Sequence, residues 1–332
     1  MDRKRVVRSA VFLIVGVGLL WLVFRDTKLD QLYNELNKIN PFWIGVSILI
    51  NILSQFVRGV RWKMLFKPMK YNPRTTNIFL SVIVLAFTNQ VIPRGGEIAR
   101  LGIINRYEKI PLAKLFGTAL VERLTDLFIL FLIFTALLVW KMPLIIRIIE
   151  LPEVSMQNLS FSSVMIIIGS SVAFFIVVWL LLRRFNVFER FRDKLQKVGR
   201  DIKEGFTSLY KIKGKIWYLA LSLLIYVLWL LMFYVLIFAY PPMKEVSFTA
   251  AAFTFGVATS AFLLPIQSGM GAWHFLAIQS LMLFGIGHDT AAVFALMAHA
   301  VTNLVHLPLG AIAFAILPFV NKKRISEPAK VS

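Results

Sequence analysis

The most constraining feature of this chain is a series of apolar windows, sixteen to twenty-four residues long, that contain no charged side chain. A helix needs about 20 apolar residues to cross the hydrocarbon region of a bilayer, so such windows are candidate spans. Hydrophobic residues make up 58% of the 332 positions, and the mean hydropathy is +0.74. A soluble core does not absorb that share of apolar surface. The expected fold is therefore an all-α, polytopic transmembrane helical bundle.

Thirty-seven basic residues stand against seventeen acidic ones, a formal charge of +20. In a soluble protein this excess points to nucleic acid. Here its distribution follows topology, because cytoplasmic loops of membrane proteins carry the surplus of Lys and Arg. Nucleic acid is accordingly not an expected partner. Cysteine is absent, which excludes disulfides, thiolate metal sites and cysteine nucleophiles.

The N-terminus carries Arg3, Lys4, Arg5 and Arg8 ahead of an apolar run over residues 9–24. This is the charge layout of a secretory signal, but no small-residue cleavage site follows, and the run reads as an uncleaved first span starting in the cytoplasm. Further spans are expected at 42–57, 115–140, 162–182, 216–239 and 290–319. Two apolar segments, 75–92 and 248–264, run instead into Pro/Gly breaks, Pro93-Arg94-Gly95-Gly96 and Pro265-Ile-Gln-Ser-Gly269-Met-Gly271. If each break is the tip of a hairpin returning to its own side, thirty basic residues fall inside and six outside. Had 75–92 crossed alone, the eleven basic residues of 183–215 would lie outside, against the charge rule. Two short complete crossings at each break would keep the same parity.

The resulting layout is about six full spans plus two re-entrant helical hairpins in an inverted repeat, with halves at about 6–140 and 162–320 of one integral membrane domain covering 1–332. Thr125-Asp126-Leu127 in the first half matches Thr302-Asn303-Leu304 in the second. Transporters use such repeats with broken helices to build a midplane site approachable from either face. Both chain ends are then cytoplasmic, and the basic loop 183–215, interleaved with Phe185, Phe188, Phe191 and Phe206, reads as an amphipathic helix on anionic lipid.

Charges inside a bilayer are costly, so those present face a cavity or a partner. Arg94, Glu97 and Arg100 are spaced by three around the first break, on one face of a helix. Glu122, Arg123 and Asp126 form a second cluster in the following span. A hairpin tip with free backbone N–H groups and two arginines suits an anion such as a phosphate. The plainer alternative is that Arg94 and Arg100 snorkel to lipid headgroups while Glu97 satisfies one of them. His299 and His306 share a helical face, but a metal site needs a third ligand, and no metal or other cofactor is expected. No nucleophile elbow, phosphate loop or paired-carboxylate hydrolase motif is present, so the chain does not read as an enzyme.

The motif Asn89 to Arg100, with its Asn, Pro, Gly-Glu and Arg, together with Glu122-Arg123-Leu-Thr-Asp126 and the segment from Pro265 to Gly271, resembles the lysylphosphatidylglycerol synthase/flippase transmembrane domain family over most of residues 10–318. The resemblance implies a lipid or lipid-linked-sugar translocator of a bacterial cytoplasmic membrane. Its expected partner is an anionic phospholipid or polyprenyl-phosphate lipid, with homo-oligomerisation left open. The chain stops at Ser332 without the soluble domain that would aminoacylate the lipid, so synthase activity is not expected. The competing class is a membrane enzyme, or a scaffold partner of a glycosyltransferase acting on a lipid-linked substrate.

The family often has a Glu where this chain has His274 and an Arg where it has His299. His274 follows the second break as Glu97 follows the first, and His299 precedes Thr302-Asn303 as Glu122 precedes Thr125-Asp126. The two imidazoles either face each other, as a neutral pair in place of an ion pair, or each packs against its own neighbours. The candidate substrate-binding residues are thus Asn89, Arg94, Glu97, Arg100, Glu122, Arg123, Asp126, His274 and His299.

Overall fold

The computed structural model describes residues 35, 37–92, 95–149, 207–208, 211–263 and 269–322. The expected spans 9–24 and 162–182, residues 183–206 and 209–210 of the basic loop, the tip residues Pro93 and Arg94, and 264–268 of the second break lie outside them. Every regular element among the described residues is helical: α1 Pro41–Met64, α2 Thr75–Val91, α3 Gly96–Glu108, α4 Leu112–Ile149, α5 Lys215–Ala239, α6 Phe248–Thr259, α7 Ala272–Met282, α8 His288–Leu304 and α9 His306–Val320. Short 3₁₀ turns lie at Lys67–Met69, Pro241–Met243 and Ser260–Leu263. Among the described residues, Pro41–Met69, Lys215–Ala239 and His288–Val320 are long and apolar enough to cross a membrane.

Asn40 caps α1 by accepting the Phe42 N–H, and Pro41 occupies the first helical position, where a missing N–H is harmless. The helix does not stop at the end of its charge-free window at residue 57 but continues through Arg58, Arg61 and Lys63. Its polar face explains why. Ser47, Asn51, Ser54, Arg58 and Arg61 recur at alternating intervals of four and three, which stacks them in one stripe.

That stripe meets α5. Ser47 Oγ donates to the Met232 carbonyl at 3.4 Å, Trp229 Nε1 donates to Ser54 Oγ at 3.2 Å, and Arg61 Nη1 donates to Ser222 Oγ at 3.3 Å. Small polar residues let two apolar helices approach closely and bond across the seam. Just before α1, Glu35 accepts from Lys38 Nζ at 2.7 Å and from the Tyr240 hydroxyl at 2.8 Å, tying this segment to the end of α5.

Two apolar cores flank the seam. One is built from α1 to α4 around Trp62, Leu65, Ile78, Ile104 and Leu115. The other is built from α5 to α8 around Phe233, Trp273 and Phe294, with Phe233 edge-on to both partners.

α2 and α3 pack against each other as a helical hairpin. At 17 and 13 residues they span about 26 and 20 Å, short of the roughly 30 Å hydrocarbon thickness. The turn depends on Gly96, whose backbone N–H donates to Asn89 Oδ1 at 2.9 Å. A Cβ at this position would stand 2.3 Å from the Leu85 carbonyl oxygen, so only glycine lets α3 start this close to α2. α6 and α7 also pack against each other, and Gly271 enters α7 at φ 81°, in the left-handed region.

Two elements differ from the expectation. α4 does not end with its apolar run at residue 140 but extends to Ile149, because helical hydrogen bonds are backbone bonds and continue past the last apolar side chain. The span expected at 290–319 lies within the one long apolar segment His288–Val320, whose helix is interrupted at Val305 between α8 and α9. Pro308 has no N–H to return to the Leu304 carbonyl, and the Thr302 hydroxyl bonds back to the Ala298 and His299 carbonyls at 2.8 and 3.2 Å, both of which favour a bend. α9 then packs on α2, where Gly310 lies against Phe87 and Asn321 exchanges side-chain hydrogen bonds with Asn77 at 2.8 and 2.9 Å.

Candidate functional site

The two acidic and basic clusters expected near the first break form one network, and the structure adds to it an arginine from a third helix. Glu122 on α4 is completely buried. One of its carboxylate oxygens lies 2.7 Å from Arg100 Nη1 of α3 and the other 3.3 Å from Arg61 Nη2 of α1. Arg61 also bonds Asp126 at 2.7 Å. Arg100 also bonds Glu97 at 2.7 Å, the i,i+3 contact that the spacing implied. Arg123 closes the chain by donating to Glu97 through Nε at 2.9 Å and through Nη2. The order of contacts is therefore Asp126, Arg61, Glu122, Arg100, Glu97, Arg123.

Burial grades along this chain. Arg61, Glu122 and Arg100 are enclosed, whereas Asp126, Glu97 and Arg123 are 20%, 29% and 46% exposed. Arg100 is thus held inside the protein, its guanidinium stacked 4.1 Å over the Trp62 ring, rather than reaching outward to headgroups. Trp62 is itself fixed by donating to Thr118 Oγ1 at 3.0 Å, and the Tyr226 hydroxyl donates to the Asp126 carbonyl at 3.1 Å.

Arg58, one turn before Arg61, is partly buried and lies within electrostatic reach of Glu122, Asp126, Arg100, Arg123 and His306. It forms no direct ion pair among the described residues. Among the described residues the cluster therefore contains four arginines and three carboxylates, an excess of one positive charge. Arg61 Nε and Arg100 Nε are buried donors with no acceptor among the described residues. A span ending with the charge-free window at residue 57 leaves Arg58 and Arg61 beyond it. The stripe they continue from Ser47 was the signal that placed them on α1.

Of the other candidates, Asn89 serves the hairpin through Gly96, and Arg94 lies outside the described residues. His274 on α7 and His299 on α8 stand together, with ring centroids 4.5 Å apart. Trp273 lies against both, at 5.7 and 5.4 Å. They border a cavity of about 190 Å³ whose other polar walls are Gln90, from the last turn of α2, and Asn303. Gln90 Nε2 donates to Asn303 Oδ1 at 3.0 Å, and Asn303 Nδ2 donates to the His299 carbonyl at 2.9 Å. His306, at the start of α9, is buried and Nδ1 has no hydrogen-bond partner among the described residues. No group of three His, Cys, Asp or Glu residues able to hold a metal occurs among the described residues.

A bundle of long apolar helices enclosing an arginine–carboxylate network belongs to a multi-pass α-helical membrane protein. The lysylphosphatidylglycerol synthase TM region family matches residues 7–310, and the chain belongs to that family. The chain is similar to two archaeal UPF0104 membrane proteins. One, from Methanocaldococcus jannaschii, is 24% identical over 96% of this chain and 97% of its own length. The other, from Methanothermobacter thermautotrophicus, is 21% identical over 94% of this chain and 95% of its own length. No solved structure matches.

Proposed function

We propose that this protein is a lipid flippase or transporter that moves an anionic phospholipid or a polyprenyl-phosphate carrier between leaflets. The observation that carries this reading is the excess cation of the network. Arg58 faces a buried cluster in which each carboxylate is already engaged by Arg61, Arg100 or Arg123. A phosphate beside Arg58 balances the cluster and offers acceptors to the spare arginine donors. Maintaining this many charges within a bundle is costly unless they serve a ligand or a pathway.

The architecture proposed for this activity is an inverted repeat of two halves, each with a re-entrant hairpin, and both termini cytoplasmic. The same 25-residue interval separates Glu97 from Glu122 and His274 from His299, which supports a common plan for the two halves. The succession of α1 to α4, long, shorter, short and long, returns in α5, α6, α7 and the bent pair α8 and α9. Single cysteines introduced into this cysteine-free chain test the topology. Labelling of a cysteine at 195 or 208 by an impermeant reagent from outside intact cells overturns it.

Function is tested with purified protein in liposomes carrying a headgroup-labelled anionic lipid in one leaflet. Transfer of unaltered lipid is expected, slowed at least tenfold by Arg58→Gln. A new lipid species in the mass spectrum would instead place the protein among membrane enzymes. Equal transfer by protein and protein-free liposomes would overturn the proposal.

A further inference from the structure

We propose that Glu97 is a stand-in for the lipid phosphate: its carboxylate occupies a seat between Arg100 and Arg123 that the phosphate takes by displacing it. This rests on the proposed lipid reading and adds to it a second position for the phosphate.

The seat has the geometry of a bound oxyanion. Arg100 Nη2 donates to one Glu97 oxygen at 2.7 Å, and Arg123 donates to the other through Nε at 2.9 Å and through Nη2. The two oxygens on one carbon are thus taken by arginines of two helices, α3 and α4, as two unesterified oxygens on one phosphorus would be. The carboxylate does not use the seat fully. A guanidinium presents Nε–H and one Nη–H as a parallel fork. Arg123 gives both to Glu97, whereas Arg100 gives Nη2 alone, and its Nε is buried with no acceptor among the described residues. A phosphate is tetrahedral and carries further oxygens, so it can supply that donor with an acceptor while still holding Arg123.

The place of this pair in the network makes it the part that opens. Glu97 and Arg123 are part-exposed, so water replaces a broken contact there, whereas parting Glu122 from Arg61 or Arg100 strands desolvated charges. Arg58 lies within electrostatic reach of Glu97, as do Arg100 and Arg123. A phosphate drawn toward Arg58 therefore repels the Glu97 carboxylate and is attracted by the two arginines that hold it. One anion replaces another at the seat, so the exchange leaves no arginine there without a counter-charge. Return of Glu97 then expels the phosphate.

Binding of short-chain phosphatidylglycerol to the full-length protein in phosphatidylcholine nanodiscs tests this. Glu97→Gln should bind about tenfold more tightly than the parent, the size of one charge-assisted hydrogen bond. It should nevertheless transfer lipid more slowly in liposomes, because no carboxylate returns to release the phosphate. Asp126→Asn removes the same charge at the other end of the network and should change affinity by less than about threefold. Equal tightening in both variants, or none in Glu97→Gln, makes Glu97 a fixed counter-ion and overturns the displacement while leaving the lipid reading intact. If a variant fails to fold, the unmodified protein still decides. Carbodiimide labelling of Glu97, located by peptide mass spectrometry, should rise when phosphatidylglycerol is added, as the carboxylate leaves its arginines; unchanged or reduced labelling overturns the proposal. Failure of both phosphatidylglycerol and a short-chain polyprenyl phosphate to bind the parent overturns both readings. Inorganic phosphate that binds as tightly as the lipid and raises Glu97 labelling as much keeps the seat and overturns the lipid reading.

Discussion

Neutralising the centre of the arginine network should be far more damaging than neutralising its edge, and Glu122→Gln tests this directly. Glu122 is fully buried and bridges Arg100 at 2.7 Å and Arg61 at 3.3 Å, so its loss leaves the four arginines facing two carboxylates. Removing one partner of a buried ion pair typically costs 3–5 kcal/mol, because the other charge stays desolvated. Arg61 keeps Asp126 and Arg100 keeps Glu97, which places the expected loss at the lower end, about 3 kcal/mol. Arg123→Gln breaks a pair whose members are 46% and 29% exposed and should cost no more than about 1 kcal/mol. Unfolding in mixed detergent–SDS micelles, followed by far-UV circular dichroism, gives both values. Combining Glu122→Gln with Arg100→Gln should show a coupling of roughly 1–3 kcal/mol. A Glu122→Gln protein as stable as its parent, or less affected than Arg123→Gln, would refute the reading of the network as a desolvated electrostatic unit.

Other outcomes follow from single contacts. Gly96→Ala places a methyl group 2.3 Å from the Leu85 carbonyl oxygen and should lower the thermal midpoint by forcing α3 away from α2, whereas Gly102→Ala, with open space around it, should not. A Cβ at Gly310 would lie 2.1 Å from Phe87 Cβ. Gly310→Ala should therefore cost about 1–3 kcal/mol, and since even the Cβ of Phe87 clashes, only Phe87→Gly in the same chain should restore much of it. In a transport assay, His274→Glu and His299→Arg should each reduce activity, and the double variant should recover much of the loss, because the rings are 4.5 Å apart; strictly additive losses would separate them functionally. Finally, Lys38 and then Tyr240 hold the Glu35 carboxyl below its usual range. Its stabilising contribution is present above the ordinary carboxylate pKa and fades as pH falls through the lowered folded value. Acid unfolding curves of Glu35→Gln should show a slightly smaller loss in that window, and an identical acid limb would discount the contact.

Much of this protein was legible in the order of its residues. Charge-free windows require a membrane because backbone and side chains there have no water to meet, and proline and glycine mark the breaks because one lacks a donor and the other lacks a Cβ. Helical periodicity implied that Glu97 reaches Arg100, and corresponding spacing after the two breaks brought His274 and His299 to the same expectation. The limits were those of local periodicity. The charge-free window ending at residue 57 leaves Arg58 and Arg61 beyond the expected span, although the stripe from Ser47 to Arg61 continues through them. That Glu122 turns to Arg61 and Arg100, while its neighbour Arg123 turns to Glu97, depended on how α1, α3 and α4 lie against one another. Spacing along one helix determines which side chains share a face. Which face of another helix meets them is decided only when the helices pack, and there Gly96, Gly310 and the small residues of the α1–α5 seam set how closely the backbones approach.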